Sequence, residues 1–170
     1  FPLAMHLPLP LPGTLGCAPL TRPTLADALG AVRRYLHLRV PFLSMSQSEA
    51  GDQVLVKLCT EFEVPGLYPF LAETVSATLI LLTEQLLDRE DAAKHGFALE
   101  DGKLPGVTVR LSAPEPPWYR QFADQLPVRF EYGQPDELMV FPRELLEVRM
   151  RLADAEASRQ KRNPFTQRSR

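Results

Sequence analysis

The chain has 170 residues, of which 45% are hydrophobic and 24% charged, and its formal net charge is −2. This length fits one domain that can bury a core, and the near-neutral charge argues against nucleic-acid binding through bulk electrostatics. Two cysteines, Cys17 and Cys59, are too few for a secreted disulfide scaffold, so we expect buried free thiols.

The ends of the chain differ in composition from its middle. Residues 1–12 are rich in proline, which predicts an extended lead-in, and they lack the basic start of a signal peptide. We therefore expect a lead-in over 1–12, one domain over 13–155, and a basic tail or linker over 156–170. Because the chain does not begin with Met, we expect it to be a piece of a longer polypeptide. Its apolar runs are too short to span a bilayer.

The first half of the domain predicts a strand, a helix, a hairpin and a longer helix. A strand over Leu15–Leu20 precedes a helix that begins after Thr24, because Asp27 follows three residues later in a capping-box-like pattern. That helix is expected to end near His37. Two strands, Phe42–Gln47 and Gln53–Glu61, are then predicted to pair as an antiparallel hairpin. One face of the second strand carries Val54, Val56 and Leu58.

A long helix is predicted from near Pro69 to Leu87, with Pro69 in its first turn. The polar stretch Asp88–Pro105 indicates a surface connection after it. The main apolar stripe of the helix consists of Leu71, Val75, Leu79, Leu82 and Leu86.

The second half predicts shorter elements. They are a strand over Val107–Leu111, a short helix over Trp118–Asp124, a second hairpin of Val128–Tyr132 and Leu138–Phe141, a helical stretch after Pro142 with Leu145 and Leu146 inward, and a helix starting at Ala153–Gln160. The expected fold is therefore α+β, with antiparallel strands and hairpins packed against one long and several shorter helices.

Patterns typical of catalysis or metal binding are not found in the sequence. The histidines His6, His37 and His95 are widely spaced, and no zinc-type Cys/His spacing, Gly-x-Ser-x-Gly elbow or Walker loop occurs. We therefore predict no catalytic residue, no metal and no cofactor.

The best ligand-binding candidates are three aromatic residues, Trp118, Tyr119 and Phe122. Pockets for small molecules are mostly apolar with a few polar groups, and Trp and Tyr offer both apolar surface and a hydrogen bond. Ordinary core packing of the same rings is the alternative.

The order of motifs resembles the N-terminal effector domain of AraC-type transcription regulators, in the subfamily labelled arabinose-binding by analogy. The first part of the resemblance consists of Gly13, Leu15, Gly16, Pro23, Thr24, Leu25, Ala28, Leu29, Arg34 and Tyr35. The second part is the strand Val109–Leu111 running into Pro114, the aromatic helix Trp118–Phe122, Pro127-Val128-Arg129-Phe130, Leu138–Pro142, and Ala153-Asp154.

This resemblance implies a cytoplasmic sensory and assembly domain that binds an unknown small-molecule effector and forms a homodimer. DNA would be bound only through a C-terminal helix-turn-helix part that this sequence does not contain. The family match adds Tyr35 and Arg34 as ligand-binding candidates. The alternative function is a ligand-free dimerisation module, in which the long helix Pro69–Leu87 forms the interface.

Overall fold

The computed structural model describes residues 21–61, 67–99 and 101–153. Over these residues the chain is an α+β domain built on a five-stranded sheet, which confirms the expected fold class. Several predictions lie outside the described residues: the lead-in over 1–12, the strand Leu15–Leu20, Cys17, the tail over 156–170, and all but the first residue of the helix placed at Ala153–Gln160.

The first helix, α1, covers Leu25–Arg39 and begins as predicted. Thr24 caps it: the backbone N–H of Asp27 donates to the Thr24 hydroxyl over 3.3 Å, and that hydroxyl donates to the Asp27 carboxylate over 3.0 Å. The first of these bonds satisfies an amide that the first helical turn leaves without a partner. Leu25 and Leu29 are buried on the side that packs against the first strand and a later 3-10 helix.

The predicted hairpin follows and is confirmed. Strands β1 (Leu43–Ala50) and β2 (Gln53–Thr60) pair antiparallel along their whole length. Gly51 in the turn has φ +59°, a left-handed conformation that glycine adopts without steric cost. Cys59 on β2 is a free thiol, but it is half-buried, so the expected burial is wrong for this residue.

The long helix α2 covers Tyr68–Leu86. Of its predicted stripe only Leu79 is buried, and the other four members are half-buried. The helix is apolar on most sides, so its periodicity does not select one face, and small residues set the closest approach to the core. Within the described ranges, no helix combines the length and apolarity needed to cross a bilayer. The buried residues of α2 are Ala72, Ser76, Ala77, Leu79, Ile80 and Thr83.

The predicted surface connection Asp88–Pro105 is wrong in part. It contains the helix α3 (Arg89–Lys94), whose first turn is capped by Asp88 accepting from the backbone N–H of Asp91 over 2.9 Å. Isolated apolar residues in this polar stretch are buried, among them Leu99 and Leu104. Their spacing follows neither helix nor strand periodicity, so the sequence pattern did not reveal them.

The remaining elements fall close to their predicted places. They are β3 (Thr108–Arg110), α4 (Tyr119–Phe122) continuing into a 3-10 turn over Ala123–Gln125, β4 (Arg129–Glu131), β5 (Leu138–Pro142), and a 3-10 helix over Arg143–Glu147 that buries Leu145 and Leu146.

The sheet has the order β1-β2-β5-β3-β4, and this order shows that the second predicted hairpin is wrong. Strand β3 lies between β4 and β5 and pairs with β4 in parallel and with β5 in antiparallel orientation. Strand β5 also pairs with β2, which places Phe141 opposite Val54 and Met139 opposite Val56. These residues are all buried, so the predicted apolar face of β2 is confirmed and continues onto β5.

The segment Val148–Arg151, here called the bridging segment, joins the two main helices. Its backbone is hydrogen-bonded on one side to the start of α1 and on the other to the end of α2. The bonds, of 2.7 to 3.0 Å, are Leu25 N–H to Val148 O, Met150 N–H to Pro23 O, Asp88 N–H to Arg149 O, and Arg151 N–H to Leu86 O.

Candidate functional site

An aromatic cluster of Trp118, Tyr119, Phe130 and Tyr132 lies at the β4 edge of the sheet. The ring centre of Tyr119 is 5.0 Å from that of Tyr132, 6.4 Å from Phe130 and 6.3 Å from Trp118, each in edge-to-face geometry. This geometry is favourable because the positive ring edge meets the negative ring face. Phe130 is buried and the other three are half-buried, so one side of the cluster faces solvent.

The hydroxyl of Tyr119 has a structural role. It donates to the backbone carbonyl of Phe130 over 3.0 Å and accepts from the backbone N–H of the same residue over 3.1 Å. Since β4 is the last strand of the sheet, these two groups have no strand beside them, and one hydroxyl satisfies both. Tyr119 therefore fixes α4 against the edge strand.

The hydroxyl of Tyr132 differs from that of Tyr119. Its oxygen is buried, and it makes no hydrogen bond in the part of the chain that the structure describes. Burial raises the pKa of Tyr132, and the charge of Glu73 raises it further, so the hydroxyl keeps its proton and remains a donor. Glu73 lies on α2 and also has a buried carboxylate oxygen.

Tyr68, the first residue of α2, carries a second hydroxyl at this end of the domain. The Tyr68 hydroxyl donates to the backbone carbonyl of Leu58 over 2.9 Å. Burial, followed by the charge of Glu137, raises the pKa of Tyr68 to about 12. Glu137 itself is 9% exposed and accepts a hydrogen bond from the hydroxyl of Ser112.

The N-terminal half of α2 thus places Tyr68 beside Leu58 and Glu137, and it places the charge of Glu73 within reach of Tyr132, at the same end of the sheet. We call this region the α2 aromatic site. It combines apolar ring surface with a few hydroxyl and carboxylate groups, which is the usual composition of a small-molecule site. Its members are Tyr68, Glu73, Trp118, Tyr119, Tyr132 and Glu137.

The structure brings together two of the five residues predicted to bind a ligand. Trp118 and Tyr119 are in the aromatic cluster, and Phe122 is half-buried at the end of α4. Arg34 and Tyr35 lie on α1, which packs against β1 at the opposite edge of the sheet. Arg34 is exposed and Tyr35 is half-buried. The ligand-binding role of all five stays a prediction.

Sequence reasoning missed the other members of the site. A signal existed for Tyr132, because Phe130 and Tyr132 alternate on a strand and so share one face. Tyr68, Glu73 and Glu137 carry no local pattern, since only the packing of α2 and the position of β5 in the sheet bring them to this end of the domain. Among the described residues, no group of three or more His, Cys, Asp or Glu side chains could hold a metal ion.

Comparison with known proteins places these features in a family. A structure search matches the crystal structure of the transcriptional regulator CdpR from Pseudomonas aeruginosa, with a TM-score of 0.60 and 17% sequence identity. The match covers 85% of this chain and 43% of CdpR, so the chain spans less than half of that regulator. Comparison with curated protein sequences gives no match. The profile described as the arabinose-binding domain of AraC transcription regulator, N-terminal, matches residues 1–150, and the chain belongs to this family of regulator domains.

Proposed function

We propose that this domain senses a small molecule and assembles as a homodimer, and that it controls a DNA-binding part of the same regulator. The family match over residues 1–150 supports a regulatory domain. In the solved relative, a transcriptional regulator, more than half of the chain lies beyond the matched region, since 43% is covered. Reading of DNA is accordingly assigned to a separate helix-turn-helix part.

The observation that carries the proposal is the α2 aromatic site. Its rings are half-buried rather than enclosed, and its polar groups include a buried hydroxyl, that of Tyr132, which no described protein atom bonds. Core packing alone would be served equally well by phenylalanine at that position. A site of this composition suits an effector with an apolar body and a small number of polar atoms.

The path from ligand to output runs along α2. This helix has 19 residues and so spans about 28 Å. Its first half contributes Tyr68 and Glu73 to the site, and its end is bonded through Leu86 to the bridging segment. A ligand that prefers one position of α2 also selects one position of the bridging segment, and the population of the two states shifts accordingly.

The proposal includes no chemistry by the domain itself and no cofactor. Its partners are an effector of unknown identity, a second copy of the chain, and DNA through the helix-turn-helix part. A regulator that acts on DNA in this way is placed in the cytoplasm, without a membrane partner.

A ligand-free dimerisation module is the second candidate, and exposed apolar residues at the start of α2 favour it. Leu67 is 46% exposed and Phe70 is 53% exposed, three residues apart on the same helical face. Such residues are typical of a contact surface. In this alternative the long helix forms the interface and no effector is bound.

Three measurements separate these functions. A thermal-shift screen of the purified chain against neutral, anionic and cationic aromatic and alicyclic compounds is expected to find stabilising ligands, since binding to the folded state adds free energy of unfolding by mass action. The effector found must then change operator binding by the full-length regulator in a gel-shift assay. A screen without any stabilising compound, together with a concentration-dependent mass that Phe70→Glu abolishes, would favour the scaffold.

A further inference from the structure

We propose that the hydroxyl of Tyr132 is the anchoring hydrogen-bond donor of the effector site, and that the effector is an uncharged molecule with a ring-like apolar body and a carbonyl or hydroxyl oxygen. This inference rests on the sensing function proposed above. It adds the polar group that reads the ligand and the chemical class of ligand that this group accepts.

The first step is the contrast between two hydroxyls in one cluster. The rings of Tyr119 and Tyr132 are 5.0 Å apart, yet the Tyr119 hydroxyl has two backbone partners on Phe130 and the buried Tyr132 hydroxyl has none among the described residues. A buried hydroxyl without a partner destabilises a fold, and native structures contain few of them. Its presence at the half-open end of the domain indicates a partner that arrives from outside.

The second step concerns the direction of the bond. Burial and the charge of Glu73 keep the proton on Tyr132, so the hydroxyl has a hydrogen to donate, and a ligand that satisfies this donor supplies an acceptor oxygen or nitrogen. The same charge disfavours an anionic ligand, because a carboxylate placed there would be repelled and poorly solvated. An ammonium group can donate to the hydroxyl oxygen, but it leaves the hydroxyl proton without an acceptor. A neutral carbonyl or hydroxyl meets both conditions.

The third step concerns the body of the ligand. The rings of Trp118, Tyr119 and Tyr132 are each half-buried and lie edge to face. The exposed apolar surface of such rings packs favourably against a flat apolar or aromatic group. Aromatic and alicyclic molecules are therefore the expected class.

The test compares benzamide, benzoate and benzylamine, which share one ring and differ in charge and in the presence of a neutral acceptor. Ligand-observed NMR and thermal shift are measured on the wild-type chain at millimolar concentration, within the wider screen described above. Benzamide is expected to bind best, and Tyr132→Phe is expected to weaken benzamide, and each neutral hit of the wider screen, about tenfold.

Stability supplies the second readout. Tyr132→Phe is expected to keep or raise the melting temperature of the ligand-free chain, since it removes a hydroxyl that no described atom bonds, whereas Tyr119→Phe is expected to lower it. A Tyr132→Phe chain that melts earlier and binds the neutral ligands as tightly as wild type would overturn the inference, because the hydroxyl would then serve the fold. Preferred binding of benzoate would overturn the ligand class. A screen with no binder at all would instead refute the sensing function, so the two failures are distinct.

Discussion

The two ends of α2 differ in the burial of their side chains and in the hydrogen bonding of the groups around them. At its C-terminal end, Leu87 is fully buried, and the neighbouring backbone groups are hydrogen-bonded to the bridging segment. At its N-terminal end, Phe70 is exposed and aromatic rings are only half-buried. The buried Tyr132 hydroxyl has no partner among the described residues.

This difference suits the two ends to different roles, one in stabilising the fold and one in adapting to a ligand. Regions with buried apolar contacts and satisfied backbone groups open last, whereas regions with sparse burial open most easily and adapt to ligands. We infer that the C-terminal end of α2 holds the domain together. The N-terminal end is free to differ between ligand-free and ligand-bound states. Each prediction below tests one side of this comparison.

The largest effect on stability is expected at the C-terminal end of α2, where the helix meets the bridging segment. Leu87→Ala removes a side chain with 0% exposure, so it should lower the free energy of unfolding by about 2–5 kcal/mol, through lost transfer energy and a cavity. Urea denaturation of the purified chain measures this loss. Leu38→Ala is the matched control, because Leu38 is 58% exposed and its change should fall within about 0.5 kcal/mol. Equal losses in the two variants would remove the distinction between core and surface on which the comparison depends.

The next effect depends on pH. The pKa of Tyr68 rises from 10.0 to about 12, so the folded chain keeps a proton that the unfolded chain loses above pH 10. The contribution of Tyr68 to the free energy of unfolding is fully present below the pKa of the unfolded state. It is lost as pH rises through the pKa of the folded state. The urea midpoint of the wild-type chain is therefore expected to fall between about pH 10 and 12 more steeply than that of Tyr68→Phe. Parallel curves for the two chains would contradict the assignment.

The predictable part of the fold consists of its local elements. Thr24 with Asp27 marks the start of α1, and alternation marks the strands of the first hairpin, because capping and pleating act between near neighbours. The pairing of β5 with β2 joins segments far apart in the chain, and alternation names a strand without naming its partner. The second hairpin was wrongly predicted for this reason.

The candidate site divides in the same way. Trp118 and Tyr119 could be predicted because aromatic residues are concentrated in one short segment. Tyr68 and Glu73 could not, since a helix that is apolar on most sides does not show which residues face the sheet. The distinction between the Tyr119 and Tyr132 hydroxyls is invisible in sequence, because it depends on where a backbone carbonyl lies.

A smaller loss of stability is expected from Tyr119→Phe in the aromatic cluster. The substitution leaves the N–H and carbonyl of Phe130 without their hydroxyl partner at the free edge of β4, which should cost about 1–2 kcal/mol. Urea denaturation again measures it, with Tyr132→Phe as the paired variant. If both tyrosine variants lose the same free energy of unfolding, the two hydroxyls contribute equally to stability. The contrast drawn between them would then be wrong.

The smallest effect on stability is expected at the outer rim of the aromatic cluster, where Arg120 donates to Glu115 over 2.8 Å. The side chain of Arg120 is 86% exposed and that of Glu115 is 41% exposed, so water and salt screen the pair and holding two long side chains costs entropy. A double-mutant cycle with Arg120→Ala and Glu115→Gln should give a coupling of about 0.5 kcal/mol or less, and less again at high salt. A coupling well above about 1 kcal/mol that survives high salt would mean that this rim is rigid. The segment beside Tyr132 would then be held in one conformation, and the assignment of adaptability to this end of the domain would be wrong.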